Sequence, residues 1–346
     1  MLLSPVSCSI EPHQLGIGNL RICVYGAGAV GGFLAGYLAN SGADVSIVVR
    51  GSHLEAIRKD GLTVEVEGKI THTRPRATDD PSTLGVQDAV VVAVKAPGLA
   101  AVAPRIGPLL GPDTPVAFLN NGIPWWYFFG HGGPMDGQHL PRLDPEDALF
   151  KAVGPKRAVG GIFWPASSVP APGHVKLVSG ASRGTVFGAP DGVETPGIAA
   201  LAEAFRKADL AVTVSSTIRD LIWEKLAFNL SAGPMCVLTT TPVKNTHEEP
   251  VLVETSRKLM AEANALIQAM GRNASIDPER AVAINTQLGH RPSILQDLLA
   301  GRPMEIDALY AVPLEMAASL GVPMPTLAML VGLIKVRARA AGLYNG

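Results

Sequence analysis

Apolar and polar positions along this chain follow two different periods. Residues 20–25 form a short apolar run rich in β-formers that ends at Gly26, the pattern of a strand buried on both faces. Residues 28–40 then carry Val30, Phe33, Leu34, Tyr37 and Leu38 at helical spacing, with Ser41-Gly42 as the stop. Stretches 44–49, 88–94 and 115–119 read as further strands. Strands alternating with helices predict an α/β fold whose N-terminal part is a Rossmann-type doubly wound parallel sheet.

The middle is less regular. Residues 130–145, dense in Gly, Pro, Asp and His, read as a long loop. Stretches 157–163, 174–178, 184–187 and 211–214 look like more strands. From Ser216 onward the pattern becomes that of successive helices, with stop signals at Gly233-Pro234, Gly289 to Pro292, Gly301 to Pro303 and Gly321 to Pro323. The expected division is therefore an extension over 1–19, a nucleotide-binding domain over 20–215 and an all-helical domain over 216–346.

Composition narrows the class. Of 346 residues, 47% are hydrophobic and 17% charged, enough for a sizeable core. The formal net charge of -1 gives no reason to expect a nucleic-acid partner or an anionic membrane surface. No apolar run reaches the roughly 20 residues of a spanning helix. Residues 1–19 lack the basic and apolar regions of a signal peptide and read as a poorly ordered extension. Cys8, Cys23 and Cys236 form no pair motif, which suits a reducing cytoplasm. The 8 histidines form no ligand cluster, so no metal is expected.

The first candidate chemistry is Gly26-Ala27-Gly28-Ala29-Val30-Gly31, directly after a strand and at the opening of a helix. Gly26 permits the tight turn, Gly28 lets backbone approach a pyrophosphate, and Gly31 lets helix and sheet pack closely. The helix N-terminus offers free N–H groups to the phosphates. Arg50 stands at the tip of the second strand, where an acidic residue would select NAD; a guanidinium there can pair with a 2′-phosphate and points to NADP(H). The plainer alternative is a solvated surface charge. Lys95 and the Asn120-Asn121-Gly122 run sit at carboxyl ends of strands, the edge that faces the ligand crevice. A surface lysine and a generic Asn-Gly turn are the plainer alternatives.

In the helical part, Lys225 lies in an apolar helix over 218–230 and shares a face with Asn229. An ammonium in such a stretch needs a task, a partner or a snorkelling path to water. Ser293 reads equally as an N-cap, and Glu305 and Asp307 as helix-start carboxylates.

Taken together, Gly-x-Gly-Ala-Val-Gly, Val-Lys95-Ala, Asn121-Gly122, Lys225-Leu-Ala-x-Asn229, Pro-Ser293-x-Leu-Gln-Asp and Glu305-Ile-Asp resemble the ketopantoate reductase (2-dehydropantoate 2-reductase) family, in order and over nearly the whole chain. The resemblance implies an NADPH-binding Rossmann domain, a helical domain and a cleft between them. It implies Lys225 as general acid on the ketone oxygen and Glu305 holding the substrate hydroxyl. Ser293 would meet the carboxylate and Asn229 orient the substrate. Asn121 and Lys95 would lie where cofactor and substrate join, and Arg50 would take the 2′-phosphate. The expected reaction is NADPH-dependent reduction of a 2-oxo acid to a 2-hydroxy acid, with ketopantoate to pantoate as the family's own. Such helical domains often form homodimers.

Two departures from the pattern bear on the substrate. Gly233 stands where the family carries a second asparagine, and with Pro234 it predicts an early helix break. The run Ile123-Pro124-Trp125-Trp126-Tyr127-Phe128-Phe129 replaces a more polar helix. It either lines the crevice for a bulkier 2-oxo acid or ketone, or packs the following loop. A nucleotide-responsive binding protein without catalysis is the remaining reading; an intact Lys225 and Glu305 speak against it.

Overall fold

The computed structural model describes residues 20–346; the extension expected over 1–19 lies outside them. The first strand, β1 (Arg21–Tyr25), forms because Ile22, Cys23 and Val24 can be covered on both faces, and all three are fully buried. It leads into α1 (Ala29–Asn40), then β2 (Asp44–Val48) and α2 (Gly51–Asp60). β3 (Leu62–Val66), β4 (Lys69–Thr73) and β5 (Arg76–Thr78) follow, then β6 (Ala89–Val92), the short α3 (Ala103–Ile106) and β7 (Val116–Phe118). After α4 (Ala148–Ala152) come β8 (Ala158–Phe163), β9 (Ala166–Ala171), β10 (His174–Ser179) and β11 (Thr185–Gly188). α5 (Pro196–Lys207) and β12 (Val212–Val214) complete this part.

The main sheet has eight strands in the order β12-β11-β8-β7-β6-β1-β2-β5. β1 pairs in parallel with β2 and β6, and β6, β7 and β8 continue in parallel, which is the Rossmann arrangement. The main sheet is parallel except at one step. β11 runs antiparallel to β8, with Thr185 opposite Phe163. A parallel step needs a crossover, usually a helix; between β8 and β11 the chain instead makes the strands β9 and β10. These join a second sheet of order β4-β3-β10-β9, so the strand expected at 174–178 lies outside the main sheet. That second sheet covers α1. A Cβ at Gly36 would fall 2.4 Å from Val64 Cγ2, and one at Gly32 2.7 Å from Val175 Cγ2. The glycines of α1 are what allow the small sheet to sit so close.

The helical part consists of α6 (Ile218–Thr239), α7 (Val243–Thr246), α8 (Pro250–Ala269), α9 (Pro278–Asn285), α10 (Ser293–Leu299), a π-helical turn at Asp307–Ala311, α11 (Val312–Ser319) and α12 (Pro325–Ala340). α6 packs on α8, α10 and α12. The break expected at Gly233-Pro234 does not occur: α6 runs through both residues. Pro234 forfeits one backbone hydrogen bond, but Leu230 to Val237 are all buried, and that packing holds the helix together. A Cβ at Gly233 would stand 2.5 Å from Tyr310 Oη. Tyr310, fully buried on the π-helical turn, therefore occupies the ground beside Gly233.

The aromatic run after Gly122 also resolves. Trp125, Trp126, Tyr127 and Phe128 are all buried in the core. The Trp223 indole donates to Tyr127 Oη at 2.7 Å, and Arg219 donates to the carbonyls of Tyr127 and Phe129. The aromatics tie the irregular segment after β7 to the start of α6.

Candidate active site

The glycine loop has the geometry its spacing calls for. Gly26 takes φ +101°, open to glycine and costly for other residues, and its N–H donates to Val48 O at 2.8 Å. A Cβ at Gly31 would lie 1.8 Å from Gly26 O, so the helix starts in contact with the turn. At Gly28, the N-cap of α1, an added Cβ would meet no atom within 4 Å. Two glycines are thus demanded by the protein's own packing, whereas Gly28 faces open space at a helix N-terminus with free N–H groups. A dinucleotide pyrophosphate fits that cradle, and Gly26 to Gly31 are the residues to hold it. Arg50 lies beyond β2 as the exposed N-cap residue of α2.

A second cluster forms where the sheet edge meets the helical part. Lys95 follows β6 and Asn121 follows β7, both at carboxyl ends of parallel strands. The Lys95 ammonium is bound by both oxygens of Asp297 on α10, and Arg302 Nε donates to Asp297 Oδ1 at 3.0 Å. Asp297 is completely buried. Next to it, Glu305 is 2% exposed and accepts from the Ala96 N–H and the Asn121 amide, each at 3.2 Å. The two carboxylates differ in partners. Asp297 is held by two cations, whereas Glu305 has only neutral donors within hydrogen-bond reach. Burial therefore raises the Glu305 pKa, against the opposing pull of Lys95, Ala96 and Asn121.

Lys225 lies on the face of α6 turned to the sheet, and its ammonium donates to Phe163 O at the end of β8, 2.8 Å away. Burial lowers its pKa to about 8, with the negative charge of Glu305 opposing and the positive charge of Arg183 adding to the fall. An ammonium with that pKa can give up a proton near neutral pH. Asn229 follows one turn later on α6, partly buried.

Asn121 and Glu305 thus share a hydrogen bond, with Lys95 and Lys225 each within Coulombic range of Glu305. Asn229 and Ser293 share no hydrogen bond with that cluster. Ser293 is the first residue of α10 with Pro292 as N-cap, so the capping alternative falls. Of the two amides at the end of β7, Asn120 is spent on Val94 O, leaving Asn121. Asp297 had been no more than a letter of a motif. Its signal was an acid inside Ile-Leu-Gln-Asp-Leu-Leu, the same anomaly that marked Lys225.

Fold and site together define a Rossmann-type oxidoreductase with an appended helical domain. The profile described as "Ketopantoate reductase PanE/ApbA" matches residues 22–192, and its C-terminal counterpart matches 217–338. A 2-dehydropantoate 2-reductase of Mesorhizobium japonicum is 39% identical over 94% of this chain and 100% of its own length. One of Caulobacter vibrioides is 30% identical over 92% and 99%. Among solved structures, a PanE/ApbA family ketopantoate reductase from Ralstonia eutropha JMP134 superposes with TM-score 0.80 at 25% identity, covering 93% of this chain and 100% of that one. The ternary structure of D-mandelate dehydrogenase with NADH and anilino(oxo)acetate superposes with TM-score 0.77 at 21% identity, over 94% and 100%, a likeness of fold. The chain belongs to the ketopantoate reductase family.

Proposed function

We propose that this enzyme reduces ketopantoate to pantoate with NADPH, Lys225 being the general acid. The observation that carries the reading is the placement of Lys225: an ammonium inside the fold, donating to Phe163 O with its pKa lowered to about 8, and within the field of Glu305. The division into a cofactor domain over 20–215 and a helical domain over 216–346 belongs to the same reading.

The bound nicotinamide supplies the reducing equivalent. Lys225 Nζ hydrogen-bonds the ketone oxygen, stabilises the negative charge that builds there and delivers the proton that completes the alcohol. In the reverse direction the neutral amine takes that proton back. Glu305 holds the substrate hydroxyl, and its own position is set by Ala96 and Asn121. Ser293 at the start of α10 meets the carboxylate, and Asn229 orients the substrate. Lys95 exchanges part of its contact with Asp297 for the cofactor side of the junction. Arg50, exposed and without a salt bridge among the described residues, takes the 2′-phosphate.

The burial of Trp125 and Trp126 removes one reason to favour a bulkier substrate, and Tyr310 accounts for Gly233 by packing. The deciding experiment follows NADPH consumption over a panel of 2-oxo acids. A marked preference for ketopantoate is expected; a larger acid turned over faster would displace it. The buried thiols of Cys23 and Cys236 fit a cytoplasmic setting. Met329, Leu333 and Val336 form an exposed apolar stripe on α12 that fits a homodimer.

A further inference from the structure

Asp307 is the one residue of 304–311 that is not buried, and it stands two places after Glu305 in Glu305-Ile306-Asp307. The proposed chemistry does not use it. Its carboxylate nevertheless gathers partners from two distant segments. Tyr344, buried in the segment after α12, donates its hydroxyl to Asp307 Oδ1 at 2.6 Å. Arg142, in the loop over 130–145, donates to the same oxygen from Nη1 at 3.3 Å and to Glu315 on α11 from Nε at 2.7 Å. Beside Tyr344, Leu343 O accepts from the Met304 N–H at 3.3 Å. Glu305 is therefore bracketed: Met304 before it and Asp307 after it are both tied to residues 343–344. The π-helical turn also carries Asn121 with it. The Ile123 N–H donates to Ala308 O at 3.1 Å, and a Cβ at Gly122 would fall 2.2 Å from that oxygen. Ala96, the other donor to Glu305, has no such tie to the turn. A cavity of about 340 Å³ is lined by Ala96, Pro97 and Ala100 as well as by Met304, Asp307 and Tyr344. Close packing therefore does not press the turn against residues 96–100.

A carboxylate held by two neutral donors at 3.2 Å depends for its position on the backbone that bears it. A displacement of about 1 Å is enough to spoil a productive contact. The phenol–carboxylate bond on Asp307 is of the stronger, charge-assisted kind and fixes that backbone from outside the site. We propose that Tyr344, acting through Asp307, is a positioning residue that sets Glu305 for the substrate hydroxyl, with Arg142 in support. The inference deepens the reductase reading and rests on it for the hydroxyl that Glu305 holds.

The test compares Tyr344→Phe with the unaltered enzyme on ketopantoate and on trimethylpyruvate, the same acid without the hydroxyl. Tyr344→Phe should lower kcat/KM for ketopantoate about 10-fold, mainly through KM, because the hydroxyl is remote from the reacting carbonyl. Trimethylpyruvate should change less than about twofold, since it keeps the ketone and carboxylate but offers Glu305 nothing to hold. Asp307→Ala should cost at least as much as Tyr344→Phe, and adding Tyr344→Phe to it should cost little more. Asp307→Asn, which keeps an acceptor for the phenol, should retain most of the parent activity. Equal losses on both acids, or none on ketopantoate, would overturn the proposal. Amide hydrogen exchange separates the two claims, because it needs no substrate. The Ala96 N–H, bonded to Glu305, should exchange faster in Tyr344→Phe, while the Val102 N–H, bonded to Leu99 O, keeps the parent rate. Faster exchange at Ala96 alone, without turnover of any 2-oxo acid, sinks the reductase reading and leaves this inference standing. Turnover of ketopantoate with Ala96 exchange unchanged, or acceleration at both amides, sinks this inference alone.

Discussion

The glycine loop and the seam around Glu305 are built on opposite plans. In the loop the tightest contact is close in sequence: a Cβ at Gly31 would meet the carbonyl of Gly26, and Gly28 opens between them. Across the seam, Lys95 meets Asp297, Ala96 meets Glu305 and Asn121 meets Glu305 over separations of 202, 209 and 184 residues. The loop is governed by volume, since a single carbon atom decides whether it forms. The seam is governed by charge and by which donors reach each buried carboxylate. A cofactor cradle can therefore be specified locally, whereas the chemistry beside it depends on two distant parts of the chain folding together.

The sharpest way to break the comparison is at the seam. Lys225→Ala should cost about 10²- to 10⁴-fold in turnover, as the loss of a positioned acid does, while NADPH binding measured by fluorescence stays near the parent value. With the Lys225 pKa lowered to about 8, the protonated form prevails below that pH. Reduction should therefore decline as pH rises past about 8, and oxidation of the hydroxy acid should rise over the same range. A reduction profile flat between pH 7 and 9 would remove Lys225 from the role.

The loop can be taken apart one glycine at a time. Gly31→Ala drives a methyl group into the Gly26 carbonyl and should lower stability by about 1–3 kcal/mol, read in a denaturant titration. Gly28→Ala adds its methyl to open space, so it should melt like the parent and lose cofactor affinity. If the two variants behaved alike, the loop would not divide into a packing glycine and a binding glycine.

Arg50→Asp should weaken NADPH about 10- to 100-fold and leave NADH little changed, the size expected for one charged hydrogen-bonding group. Equal loss for both cofactors would end the 2′-phosphate role. The smallest effect is expected from Asp297→Asn. It leaves Lys95 and Arg302 facing a neutral amide, but both cations are about half exposed and water shields them. A loss of about 1–2 kcal/mol in thermal unfolding is expected. A loss as large as that of a fully buried ion pair would show that water does not shield these two cations.

Legibility followed the same line. β1, α1, β2 and the glycine loop could be read because apolar period and glycine spacing act within a few residues. Lys225 stood out because an ammonium in an apolar helix is an anomaly that pattern alone reveals. The helix break at Gly233-Pro234 was misread because local propensity was outweighed by the burial of Leu230 to Val237. The antiparallel step at β11 was missed because strand direction leaves no trace in a hydrophobic run. Trp125 to Phe128 were ambiguous for a related reason: an aromatic cluster looks the same whether it lines a cleft or fills a core.

By itself, then, the sequence determined the Rossmann opening, the cofactor cradle, the helical second half and the residue types for a carbonyl reduction, because each rests on short-range sterics or on an apolar period. Only the tertiary structure decided which carboxylate is paired and which is left with neutral donors. It also decided that Asn120 is spent on backbone, and that the Phe163 carbonyl holds the Lys225 ammonium. Those outcomes depend on burial and on charges brought together from distant segments, and neither exists until the chain has folded.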